Sequence, residues 1–244
     1  MHAVALAWMA LAVALVPLQL FVTAPYGRHV RGGWGPRISN RLGWLAMESV
    51  SLVVFAALFL IGPAHKSASA WVFFAAWVAH YVNRALVFPW RLRGRDKTMP
   101  LAIAGSAALF NTVNAGLNGV TLGWIAYPES WLADPRFVLG LALFICGAAL
   151  NLWADGRLMR LRTPQADYAL PRGGMFERVS CPNHLGEILE WSGFALRCWN
   201  LAALSFAIWT AANLIPRALS HHRWYEARFP AYPPARKAVI PWLL

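Results

Sequence analysis

Apolar residues run along this chain in unbroken blocks rather than in the spaced stripes of a soluble helix. Seven blocks stand out, at about 3–24, 42–62, 68–90, 101–126, 136–156, 185–198 and 200–220. Most reach the ~20 residues that a helix needs to cross a bilayer. None alternates polar with apolar positions as the ~10-residue strands of a membrane barrel do. The pattern predicts an all-α, polytopic membrane bundle of seven transmembrane helices. The sixth block is short, and the Trp199-Asn200 turn into the seventh predicts a tight helical hairpin. The opening block lacks the basic flank of a signal peptide and is read as a retained span.

Basic residues orient the bundle, because Lys and Arg gather on cytoplasmic connections. Arg28, Arg31, Arg37 and Arg41 lie between the first two spans, and Arg91, Arg93, Arg95 and Lys97 follow the third. Arg157, Arg160, Arg162, Arg172 and Arg178 follow the fifth, and Arg217, Arg223, Arg228, Arg236 and Lys237 close the chain. The opposite connections hold Lys66 and Arg136. The expected arrangement has the N-terminus outside and the C-terminus cytosolic.

Composition agrees: 59% of the 244 residues are apolar and 13% are charged, whereas soluble domains carry roughly a quarter charged residues. The net charge of +12 therefore belongs to membrane-flanking loops rather than to a nucleic-acid reader. Cys146, Cys181 and Cys198 are odd in number and lack metal-ligand spacing. That argues against a disulfide framework and predicts no metal site. The tail cations Arg228, Arg236 and Lys237 read as lipid-headgroup contacts.

Ionisable groups inside hydrocarbon are costly unless paired, and each is a candidate for function. Glu48 lies two helical turns past Arg41, roughly 10 Å into the membrane. His80, Tyr81, Asn83 and Arg84 lie on the next span, with Tyr81 at comparable depth and able to share a hydrogen bond with Glu48. The purely structural alternative has Glu48 pairing with Arg84 or a hydroxyl to fasten two helices. Three helix ends on the basic side carry polar faces at helical spacing. They are Asn151, Asp155 and Arg162; Asn183, Glu187 and Trp191; and Arg217, His221 and Tyr225. Together they supply arginine forks for phosphate and carboxylates for ribose hydroxyls. No Gly-rich turn between a strand and a helix is present, so a nucleotide would be held by membrane-helix ends. One membrane domain, 1–244, is expected, with 1–135 as substrate-side helices and 136–244 as the cofactor-binding region.

The C-terminal half resembles the steroid 5α-reductase family. The resemblance is carried by Asn151-Leu-Trp-Ala-Asp155, Leu161-Arg162, Tyr168, Pro171-Arg-Gly173-Gly174, Val179-Ser180, Asn183-His-Leu-Gly-Glu187, Glu190-Trp191, His221-His222-Arg223-Trp-Tyr225 and Arg236-Lys237-Ala-Val-Ile240-Pro241. Trp44 to Glu48 and His80-Tyr81 through Arg95 extend it more thinly. The resemblance implies an integral membrane enzyme, of a bacterial inner membrane or, in a eukaryote, of the endoplasmic reticulum, that takes NADPH from the cytosol. It would reduce the 4,5 double bond of a 3-oxo-Δ4-steroid arriving from the lipid phase. Asn151, Asp155, Arg162, Tyr168, Asn183, Glu187, Trp191, Arg217, His221 and Tyr225 would contact the cofactor, and Glu48 and Tyr81 would hold the steroid's C3 carbonyl. The chain departs from the family at Met47, commonly Gln, and in a shorter loop before Tyr168. It also has Ala169 where an Arg is expected, which leaves Arg172 as the substitute for the 2′-phosphate. The alternatives are a membrane methyltransferase of the isoprenylcysteine carboxyl type using S-adenosylmethionine, a related sterol-ring reductase, and a non-enzymatic adaptor.

Overall fold

The computed structural model describes residues 1–92, 97–161 and 168–244. Among them the chain forms seven long helices: α1 (His2–Phe21), α2 (Asn40–Ile61), α3 (Ala68–Arg91), α4 (Leu101–Trp124), α5 (Pro135–Leu161), α6 (Pro182–Cys198) and α7 (Leu201–Arg228). A short antiparallel pair, β1 (Arg37–Ser39) with β2 (Thr98–Pro100), ties the loop before α2 to the loop before α4. The architecture is all-helical, as the apolar blocks predict. By length and apolarity five helices can cross a membrane: α1, α2, α3, α5 and α7. The other two are less apolar for identifiable reasons. α4 carries buried Asn111, Asn114, Asn118 and Thr121, and α6, 17 residues long, carries Glu187, Glu190 and Arg197.

Helix starts follow their caps. Ser39 accepts from the Leu42 N–H at 3.3 Å, Ser67 from Ala70 at 3.5 Å, and Asn200 from Ala203 at 2.9 Å, which satisfies donors the first turn leaves orphaned. Proline opens α5 and α6, where its missing N–H costs nothing. Trp199, at φ 47°, makes the tight turn between α6 and α7, so the expected hairpin is present. Within α3, Asn83–Val87 widen into a π-helical turn just ahead of Pro89. A proline ring crowds the carbonyl four residues back, and a wider turn relieves that crowding.

The most extensive pairings are α5 with α6, α2 with α4, and α1 with α7. Glycines let α5 and α6 approach closely: a Cβ on Gly186 would lie 2.5 Å from the Asn151 backbone nitrogen. The core is aromatic. Trp77 is fully buried, stacked on Phe55 at 4.5 Å and packed on Phe206 at 5.1 Å.

The tail after α7 folds back over the ends of α6 and α7. Ser180 N–H donates to Lys237 O at 2.8 Å and Cys181 N–H to Ala238 O at 3.1 Å. The headgroup reading of Arg236 is overturned here. Its side chain is buried, donates to Pro171 O at 3.3 Å and pairs with Glu177 at 3.6 Å. It fastens the loop before α6 to the tail instead of reaching lipid.

Candidate active site

The polar ends of α5, α6 and α7 converge on one cavity of about 160 Å3. Asp155, Asn183, Glu187, Arg217, His221 and Tyr225 all line it, so six of the eleven residues expected to hold a cofactor share one wall. Helical spacing aligns them along each helix, and the close approach of α5 to α6 brings two of the faces together. Asn151 Nδ2 donates to Asn183 O at 3.0 Å, and Asn183 Nδ2 donates to Asp155 Oδ1 at 3.1 Å. Asn151 thus stands behind the wall and fixes its register. Trp191 lies deeper, against Trp77 and Phe206 at 5.2 and 4.4 Å. Tyr168 lies outside the lining, with the Arg28 and Lys97 cations 5.1 and 4.9 Å from its ring centre. Arg172 points elsewhere, to Glu177 at 3.4 Å and Ala231 O at 3.2 Å. Arg162 falls outside the described residues.

The opposite wall comes from the loop between α1 and α2. Arg217 donates to Ala24 O at 3.3 Å and Tyr26 O at 3.1 Å, which clamps that loop onto α7. Arg28 then sits among rings, 4.5 Å from Tyr225 and 4.9 Å from Trp224. His29 Nε2 and His221 Nδ1 share a hydrogen bond at 2.8 Å, with the donor set by the tautomers. Burial, helped by Arg217, Arg28 and Arg31, pushes His29 down to about 4. Burial also pushes the Cys181 thiol up to about 12, so it stays uncharged beside the cavity. Glu177 is held below the usual carboxylate range by the Gly173 N–H, which donates to it at 2.6 Å, and by Arg236 and Arg172.

The lining carries unmet hydrogen-bonding capacity. Arg28 Nη1, Asn40 Oδ1 and His184 Nδ1 are buried there without a hydrogen-bond partner among the described residues. A buried polar atom left unpaired is costly, and a cationic donor beside acceptors and carboxylates suits a ligand bearing both phosphate and hydroxyl groups. The donor set fits a nicotinamide dinucleotide.

Arg84 connects this cavity to the membrane interior. Raised on the π-turn of α3, it pairs with Asp155 at 3.6 Å and with Glu187 at 3.6 Å. Among the described residues no ion pair within 4 Å joins it to Glu48, although the two charges lie within each other's field. Glu48 on α2 instead accepts from Asn111 Nδ2 of α4 at 3.4 Å. Tyr81 is buried beside Trp77 and His80 at 5.2 and 5.0 Å, within the electrostatic field of Glu48. No hydrogen bond joins Tyr81 to Glu48 among the described residues. His80 shares a 2.8 Å contact with Glu190 on α6.

Arg28, His29, Asn111 and Glu190 carry no site role in the sequence reading. Arg28 is visible there only as an orienting charge, and Glu190 only as part of a motif. The Asn111, Asn114, Asn118 stripe at helical spacing is a usable signal for the third.

Residues 97–244 match the sequence profile of the family described as 3-oxo-5-alpha-steroid 4-dehydrogenase. Similar relatives include "Steroid 5-alpha-reductase DET2" of Solanum lycopersicum, 41% identical over 228 residues, which covers 91% of this chain and 89% of the relative. "3-oxo-5-alpha-steroid 4-dehydrogenase 1" of Homo sapiens is 36% identical over 222 residues, covering 89% of this chain and 85% of the relative.

Proposed function

As the chain belongs to the 3-oxo-5-alpha-steroid 4-dehydrogenase family, we propose that it is a membrane oxidoreductase that reduces the 4,5 double bond of a 3-oxo-Δ4-steroid with NADPH. The observation that carries this reading is Arg84. Its ion pairs to Asp155 and Glu187 tie the polar cavity to the stretch of α3 that carries Tyr81 one turn earlier.

Asp155, Asn183 and Glu187 would bind hydroxyl and amide groups of the cofactor, and Arg28 and Arg217 its phosphates. Arg162, Tyr168 and Arg172 belong to the proposed adenosine end, with Trp191 and Asn151 supporting the wall. When bound, the reduced nicotinamide supplies the hydride. Hydride arrival at the far carbon of an enone drives negative charge onto the carbonyl oxygen, and a donor fixed there stabilises the transition state. Tyr81 O–H is that donor, and Glu48 orients it or shares its proton. The aromatic core around Trp77 keeps water from the reacting end, which strengthens both contacts. In this reading the steroid enters from lipid between the 1–135 helices, the 136–244 region binds the cofactor from the cytosol, and the protein sits in a bacterial inner membrane.

The test is incubation of detergent-purified protein with NADPH and testosterone or progesterone, with the product read by mass. The expected product has gained two hydrogens, and Tyr81→Phe should lower turnover while leaving NADPH affinity intact. Saturable S-adenosylmethionine binding, with no response to NADPH, overturns the reading in favour of a methyltransferase.

A further inference from the structure

The buried asparagines of α4 are not equivalent. Asn114 Nδ2 donates within its own helix, to Phe110 O at 2.8 Å, and its Oδ1 accepts from Trp8 Nε1 at 3.1 Å. Asn118 Nδ2 donates to Asn114 O at 3.0 Å and across to Ala202 O at 3.2 Å. These two fasten helices. Asn111, only 4% exposed, does something else: its Nδ2 donates to the Met47 carbonyl at 2.7 Å and to Glu48 Oε2 at 3.4 Å. One amide nitrogen has two N–H groups, so a single side chain grips both the peptide unit ahead of Glu48 and the Glu48 carboxyl itself.

We propose that Asn111 is a positioning residue for Glu48, setting which carboxyl oxygen faces the substrate carbonyl. This rests on the reductase reading above. A carboxyl oxygen that accepts an N–H is a poor place for an acid proton, so a protonated Glu48 carries its proton on Oε1. Oε1 accepts no hydrogen bond among the described residues, which leaves it for Tyr81 or for the steroid. Met47 matters here because its side chain can offer no N–H, and the amide that reaches Glu48 comes from the neighbouring helix.

The test compares the unsubstituted chain with Asn111→Leu, Asn111→Asp, Glu48→Gln and the Asn111→Leu/Glu48→Gln pair. Turnover, NADPH affinity and melting temperature are measured on the same preparations. Both Asn111 variants lose the donor, and Asn111→Asp keeps the shape. Each is expected to lower kcat by about tenfold, the scale of one buried hydrogen bond, with NADPH affinity within about twofold of the parent. Because Asn111 acts through Glu48, the double variant should be no worse than Glu48→Gln alone. Parent activity with unchanged kcat in both Asn111 variants overturns this inference and leaves the reductase reading standing. Losses that multiply in the double variant, or failure of both Asn111 variants to fold, assign Asn111 to the bundle and overturn it as well. A parent chain with no turnover of any 3-oxo-Δ4-steroid overturns both.

Discussion

His29 comes from a loop and His221 from a helix far apart in sequence, and their rings lie nearly parallel, 7° apart with centroids at 4.9 Å, while sharing a hydrogen bond at 2.8 Å. That bond needs one neutral acceptor nitrogen, and Arg28, Arg31 and Arg217 all oppose a proton on His29. Burial first, and then these cations, push the His29 imidazole down to about 4 from its ordinary 6.5. Between those values the unfolded chain binds more protons, so stability rises with pH. The contribution is complete above 6.5 and is lost as the pH falls toward 4. The melting temperature of the parent should therefore drop more steeply from pH 6.5 to 4.5 than that of His29→Gln, and parallel curves would remove His29 from the latch. This pair is not legible in the sequence, where Arg28 stands out only as an orienting charge and His29 not at all. His80 and Arg84 were visible as intramembrane polar groups, but their partners Glu190, Asp155 and Glu187 lie on other helices. Helical spacing predicts which residues share a face, and it contains no term for which faces meet.

At the scale of elements, the site depends on how closely α5 and α6 approach. Asn151 and Asp155 reach Asn183 only because Gly186 presents no side chain to the facing backbone. A Cβ there would stand 2.5 Å from Asn151 N, a distance that forces the helices apart. Gly186→Ala should cost about 1–3 kcal/mol, as overpacking does, and should weaken NADPH binding by disturbing the Asn151–Asn183–Asp155 chain. Gly105→Ala, with nothing within 4 Å of the added carbon, is the control and should leave binding unchanged and melting unchanged or slightly raised, as Ala favours a helix over Gly. Equal behaviour of the two variants in melting and binding would show that the approach is not what holds the wall. The helices themselves were largely legible, because lipid-length apolar blocks leave little else for the backbone to do. Their ends were less so. α5 and α7 continue to Leu161 and Arg228, beyond the apolar blocks, and both extensions line the site, α5 with Leu158 and Met159 and α7 with His221 and Tyr225. The π-turn of α3 had one clue, Pro89, but a proline fixes the place of a helix distortion without fixing its form.

For the whole molecule, the basic residues sort to the two ends of the bundle unequally, and their partners differ. At the cavity end Arg28, Arg84 and Arg217 line the polar site. At the far end Lys66 is consumed by backbone carbonyls at and just past the ends of α2 and α4, donating to Gly62, Ala64 and Gly123 at 2.8, 2.7 and 3.1 Å, where a cation offsets helix C-termini. Arg136 is likewise held by Asp134 at 2.7 Å. Most of the basic residues are on the cavity side, which the positive-inside rule assigns to the cytosol. That is also the side from which NADPH would be drawn. Introduced cysteines test the orientation: Ser130→Cys at the far end and Ala235→Cys in the tail both occupy exposed positions. In intact bacterial cells a membrane-impermeant maleimide should label Ser130→Cys above the parent background set by Cys146, Cys181 and Cys198. Ala235→Cys should label only after the membrane is opened. The reverse pattern would turn the cavity away from the cytosol, and the proposed use of NADPH would then fail whatever the geometry of its binding residues.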